Sequence, residues 1–158
     1  MYLLDANVLS RLSPEQRASD FVADRCQIPS EVLYEARGLP DLHVVEPLEL
    51  PTSRAMLERL RDVMASIAPE DRTLVDLYRN RGGGDPVLIA AALTADSRDD
   101  SLWPTIWHVV SDDRAVLATA SRFGLDSLSR TDLIELIEGQ FPVRDGPTPA
   151  TGSGARCR

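Results

Sequence analysis

Tyr2–Leu4 is an apolar run that stops at Asp5, the pattern of a buried strand. Behind it, Val8, Leu9 and Leu12 are spaced for one face of a helix. Ser13-Pro14-Glu15 starts a second helix with Phe21 and Val22 as its anchors. Ile28-Pro29-Ser30 opens a third, and Gly38 closes it in a position favoured at helix ends. Leu42–Val45 reads as a second strand, closed by Glu46-Pro47. Residues 52–68 carry Met56, Leu57, Leu60, Val63, Met64 and Ile67 at helical spacing. Pro69-Glu70-Asp71 restarts a helix through Leu74, Leu77 and Tyr78.

The glycine-rich stretch Arg79–Pro86 predicts a loop, followed by an apolar helix over Val87–Ala95. A polar loop runs from Asp96 to Ser101. Ile106–Val110 is the third strand, Arg114–Phe123 a helix, Leu125–Leu128 a short strand and Thr131–Ile137 the last helix. From Pro142 onward Pro, Gly, Ser and Thr dominate, the composition of a disordered tail. Strands separated by helices predict an α/β fold, a central parallel sheet flanked by helices on both faces. The expected division is one domain over residues 1–140 and a tail over 141–158. No internal repeat is visible at a solenoid period.

The 158 residues suit one domain with a sizeable core. No apolar run approaches the roughly 20 residues that span a bilayer, so no membrane partner is expected. The first ten residues carry an acid at position 5 and no basic leader, unlike a signal peptide. Two cysteines, Cys26 and Cys157, make no disulfide framework, and a reducing cytoplasm is the expected compartment. The net charge of −8 argues against a broad basic surface for nucleic acid. All 17 basic residues are Arg. The absence of lysine excludes Walker-type phosphate binding, Schiff-base chemistry and the lysine-dependent aspartyl-phosphate folds.

In open α/β sheets, ligands bind beyond the carboxyl ends of the strands. Two predicted strands run directly into acids there, Leu4-Asp5 and Val110-Ser111-Asp112-Asp113. Asp85 precedes the apolar helix that starts at Pro86. Glu35 lies at the border of the apolar stripe formed by Val32, Ala36 and Leu39, while Glu31 faces further out. Each acid also admits a local role. Asp5, Asp85 and Ser111 or Asp112 can cap the helices that follow them, and Glu35 can be a solvated helix charge.

The succession Asp5-Ala6-Asn7, Glu35-Ala36-Arg37-Gly38, Asp85-Pro86-Val87-Leu88 and Ser111-Asp112-Asp113-Arg114 resembles the PIN-domain nucleases, most closely the VapC-type toxins of bacterial toxin–antitoxin pairs. The likeness covers residues 1 to about 138, and its specificity lies in the order of four short motifs. It implies a metal-dependent endoribonuclease with Asp5, Glu35, Asp85 and Asp113 as its catalytic acids. Asp5, Asp85 and Asp113 would ligate Mg²⁺ or Mn²⁺, with Asn7 and Ser111 as supporting polar residues. Asp113 fits the motif better than Asp112, which remains a rival. The resemblance further implies an RNA substrate, a cognate antitoxin and a homodimer. A non-catalytic PIN-like binding module is the alternative.

Several carboxylates in one cleft repel one another and raise their pKa values, a penalty that a hard divalent cation removes. Arg11, Arg79, Arg81 and Arg114 lie near the acids along the chain and are candidate RNA contacts, since a guanidinium matches phosphate geometry. The acidic net charge and missing lysine depart from an RNA-cleaving protein, and Gly82-Gly83-Gly84 is an unusually flexible approach to Asp85. His43 and His108 lack metal-site spacing and read as structural. Trp103 and Trp107 read as packing residues, and the three glycines do not form a nucleotide-binding loop. A phosphatase or receiver domain also places acids at strand exits, but the missing lysine and the absence of a DxD pair at Asp5-Ala6-Asn7 weigh against it.

Overall fold

The computed structural model describes residues 1–67, 84–96 and 105–139. The expected helix over 69–78, the loop residues Arg79–Gly83, most of the polar loop after Asp96, Trp103 and the tail from Pro142 lie outside the described residues. Short strands alternate with helices in this order: β1 (Tyr2–Leu4), α1 (Ala6–Arg11), α2 (Pro14–Arg17), α3 (Asp20–Arg25), β2 (Cys26–Pro29), α4 (Ser30–Glu35), α5 (Leu42–Val45) and β3 (Glu49–Leu50). The second half holds α6 (Arg54–Ala65), α7 (Gly84–Asp96), β4 (His108–Val110), α8 (Arg114–Arg122), β5 (Asp126–Leu128) and α9 (Arg130–Gly139).

The five strands form one parallel sheet in the order β3-β2-β1-β4-β5. The chain is therefore an α/β fold with a central parallel sheet. β1 and β4 pair in register, Leu3 opposite Val109 and Leu4 opposite Val110. Successive side chains on a strand point to opposite faces, and the core divides accordingly. Leu4 and Val110 pack with Val8, Leu9, Val22, Val32 and Leu133, from α1, α3, α4 and α9. Leu3 and Val109 pack on the other face with Met56, Val63, Leu88, Val116 and Ala120, from α6, α7 and α8. Strand positions buried on both faces must be apolar, which is why Leu3-Leu4 and Val109-Val110 read as apolar pairs.

Local signals explain the helix starts. Ser13 and Gln16 form a reciprocal capping box at α2, with Pro14 in the first turn. Ser19 caps α3 and Ser53 caps α6. Gly124 adopts φ 71° between α8 and β5, a conformation that favours glycine.

Three sequence expectations are corrected. Leu42–Val45 is not a strand but the short helix α5, with Val45 buried against the α1 side of the sheet. The second strand is instead Cys26–Pro29, which the proline-serine helix signal at its end concealed. Ser13 to Val22 forms two short helices rather than one, since Ser19 starts a new cap. Among the described residues, no helix is long and apolar enough to cross a membrane.

Candidate active site

The carboxyl ends of β1 and β4 are adjacent, and they bring Asp5 and Ser111 together. The Asp5 backbone N–H donates to the Val110 carbonyl (3.1 Å), so the residue is held at the end of the ladder. Its side chain is buried. Ser111, also buried, donates from Oγ to Asp5 Oδ2 across 2.7 Å. The same Oγ accepts the backbone N–H of Asp113 at 3.0 Å. One hydroxyl thus links two acids that lie far apart in sequence. Asp113 caps α8 by accepting the Ala115 N–H at 2.7 Å, and Asp5 caps α1 by accepting the Asn7 N–H at 3.4 Å. The capping role and the placement of the acids are compatible, because a helix start directly after a strand puts the cap side chain at the edge of the sheet.

Asp85 lies in the first turn of α7, rather than at its cap, and is half-buried. Glu35 is the last residue of α4 and is exposed. Burial, followed by the charges of Asp5, Asp113 and Glu35, pushes the Asp85 carboxyl up to about 7. The four acids therefore share one electrostatic neighbourhood, although they come from four different elements. Asp5 is also raised, first by burial and slightly by Asp113, against the opposing hydrogen bonds from Ser111, Asn7 and Ala6. Carboxyls raised in this way at the end of a sheet mark a candidate site.

Asp112 faces elsewhere. Its carboxylate accepts the backbone N–H and the Nε of Arg130, each at 3.0 Å, and lies 3.5 Å from the Arg11 guanidinium. Burial works against its charge, but these partners prevail and hold its carboxyl below the usual range. Asp113, by contrast, acts on Asp5 and Asp85.

The remaining sequence candidates divide. Asn7 is exposed and supports Asp5 through its backbone amide. Arg11 is exposed and paired with Asp112, and Arg114 is exposed at the first position of α8. Arg79 and Arg81 lie outside the described residues. His108 stacks on Tyr2 at 5.3 Å, and Trp107 is half-buried against the α7 side of the core.

Sequence reading missed Arg17. This buried side chain grips Asp41 with two prongs, Nε to Oδ2 at 2.8 Å and Nη2 to Oδ1 at 2.9 Å. Its Nη1 donates to the carbonyls of Leu9 (3.1 Å) and Leu12. In sequence it is an ordinary charge at the end of a short helix, and its partner stands 24 residues away.

The donor set of Asp5, Asp85 and Asp113 is all oxygen, the chemistry that Mg²⁺ and Mn²⁺ prefer. Burial first and then repulsion from the neighbouring acids raise Asp85, and a divalent cation would offset the repulsive part. Among the described residues, however, no group of three or more His, Cys, Asp or Glu side chains is gathered closely enough to hold an ion. No family model matches the chain, and no curated protein matches it.

Proposed function

We propose that this chain is a metal-dependent endoribonuclease of the PIN type, acting as the toxin of a VapBC-type toxin–antitoxin pair. The observation that carries the nuclease reading is the joint action of Asp5, Asp113 and Glu35 on Asp85 at the carboxyl edge of a parallel sheet. The toxin reading and its cognate antitoxin, homodimer and cytoplasmic setting rest on the resemblance of the four acidic motifs to the VapC-type proteins.

Asp5, Asp85 and Asp113 are the residues that would hold Mg²⁺ or Mn²⁺. When bound, such an ion supplies a Lewis acid for the phosphoryl oxygen and acidifies a water molecule. Ser111 holds Asp5 by its short hydrogen bond and so fixes the carboxylate's orientation. Glu35 is exposed and its charge acts on the half-buried Asp85, and its exposure gives it access to solvent water. Its role is to orient the water whose oxygen bonds to phosphorus as the bridging P–O bond breaks, the water's proton passing to solvent and the departing oxygen taking one from solvent. Arg114 is exposed at the start of α8, Arg11 is exposed and paired with Asp112, and both are candidate phosphate contacts together with Arg79 and Arg81. A chain of net charge −8 has little long-range attraction for RNA, so these local guanidiniums must supply it.

A second reading, a non-catalytic PIN-like binding module, is favoured by the absence of a gathered three-ligand group among the described residues. One experiment separates the two. The purified protein is incubated with single-stranded RNA and Mg²⁺ or Mn²⁺, with and without a chelator. The nuclease reading expects chelator-sensitive cleavage that disappears in D5N/D85N while the fold is retained. Undiminished cleavage by the folded double variant overturns the catalytic assignment, and a metal-saturated wild type that leaves RNA intact favours the binding module.

A further inference from the structure

Arg17 is buried although it belongs to a four-residue surface helix. Burying a guanidinium is unfavourable unless its donors are satisfied, and here they are used across two separate segments. One segment is the C-terminal end of α1, whose Leu9 and Leu12 carbonyls accept from Nη1. The other is Asp41, which takes the two-pronged grip. The Arg17 guanidinium beside it holds the Asp41 carboxyl below the usual range, as expected of a tight pair. Asp41 stands at the end of a run of turns that leaves α4 directly after Glu35. In that run the Leu39 N–H donates to Ala36 and the Leu42 N–H to Leu39. Asp5, at the other end of α1, is the cap of that helix. Leu9, Leu12, Val32 and Ala36 fill the same core between the two elements.

We infer that Arg17 is a positioning residue: clamped to Asp41, it fixes the helix that Asp5 begins against the helix that Glu35 ends. The inference rests on the nuclease reading of the site. Arg17 touches none of the acids, so it acts only through their spacing. α1 is only six residues long, and it turns just Val8 and Leu9 of those six fully into the core. The fork resists movement of this helix, because a bidentate pair restricts orientation as well as distance.

The full-length chain tests this. R17M removes the clamp. R17M/D41L removes both charges, and such replacement of a buried pair by apolar groups preserves stability better than the single change. R17K keeps the charge and loses the fork, and it carries the comparison if R17M does not fold. The expected result is a kcat for RNA cleavage reduced about tenfold in R17M and in R17M/D41L, with KM within about twofold, since small misplacements of a catalytic group act on the chemical step. R17K falls between these variants and the wild type.

The same R17M change made in an E35Q background should add nothing further. The affinity of the protein for Mn²⁺, read by calorimetry, should weaken in R17M, whose α1 carries the ligand Asp5, and stay near the wild-type value in E35Q. Additive losses, or an R17M variant equal to the wild type in kcat and Mn²⁺ affinity, overturn the clamp. A wild type that neither cleaves RNA nor binds Mn²⁺ overturns the nuclease reading and the positioning role with it. That failure is distinguishable, because the wild type is then silent before any variant is compared.

Discussion

The hydroxyl of Ser111 donates to the carboxylate of Asp5 across 2.7 Å, between two residues 106 positions apart in the chain. Both are buried, and the same hydroxyl accepts the backbone N–H of Asp113. Removing it leaves a buried carboxylate oxygen without its nearest donor. S111A is therefore expected to lose about 1.5–3 kcal/mol of stability, the range for a hydrogen bond to a charged group. Its cleavage activity should fall about 10- to 100-fold, as when a residue supporting a metal ligand is removed. Chemical denaturation and RNA cleavage assays check the two figures. S111T, which keeps a hydroxyl, should retain more of both.

The raised Asp85 pKa, about 7 against an ordinary 3.8, makes a statement about stability. The folded state binds the Asp85 proton more tightly than the unfolded chain does. In the metal-free protein, folding is thus penalised fully above pH 7, and the penalty fades as pH falls from 7 toward 4. D85N removes it. At pH 8 without metal, D85N should be more stable than the wild type by about 2 kcal/mol, allowing for screening by the water that reaches this half-buried site. The gain should shrink steadily toward pH 4. Thermal melts of both proteins in chelator at several pH values test this, and a gain that grows in acid would reverse the sign.

Asp112 and Asp113 are neighbours with opposite surroundings. Asp112 is turned to Arg130 and Arg11, whereas Asp113 adds its charge to Asp5 and Asp85. D113N should abolish metal-dependent cleavage. D112N should leave kcat within about threefold and cost at most about 1 kcal/mol, the scale of a partly exposed ion pair. The opposite pattern of activity loss would exchange the roles of the two acids.

Asp41 and Asp112 are both held below the usual carboxyl range by arginine partners, with burial opposing the shift at each. Their sign is opposite to that of Asp85. Each contributes stability that is fully present above the unfolded carboxyl range, near pH 4, and is lost as the pH falls through its folded value. The wild type should therefore lose stability steeply below pH 4. D41N should flatten that loss, because the Arg17 pair is already broken at every pH. Urea denaturation between pH 5 and pH 2.5 reads the slope.

Much of the frame was legible in the chain. β1 and β4 are buried on both faces, so their apolar runs stand out, and the acids at their ends mark the carboxyl edge of the sheet. Ser13 and Ser53, which cap α2 and α6, and Pro14 in the first turn of α2 are local signals of the same kind. Leu42–Val45 was illegible for the converse reason. Four apolar residues suit a strand or a buried helical turn equally, and tertiary packing decided for α5. β2 was hidden because Pro29-Ser30 resembles a helix start, and it is one, but the strand reaches Pro29 first. Arg17 and Asp41 could not be paired from sequence, since nothing local distinguishes a buried Arg from the 16 others in the chain. The resemblance ordered the acids and preferred Asp113 to Asp112, and the structure shows the different company each keeps.

The strand order has a consequence for how the molecule is made. β1 lies between β2, about two dozen residues downstream, and β4, more than a hundred residues downstream. A chain emerging from the ribosome can dock its first two strands early, yet the edge that carries Asp5 stays open until His108–Val110 arrives. Closing so long a span is slow relative to local pairing. Asp5 therefore waits for a hydrogen-bond donor that is synthesised 106 residues later.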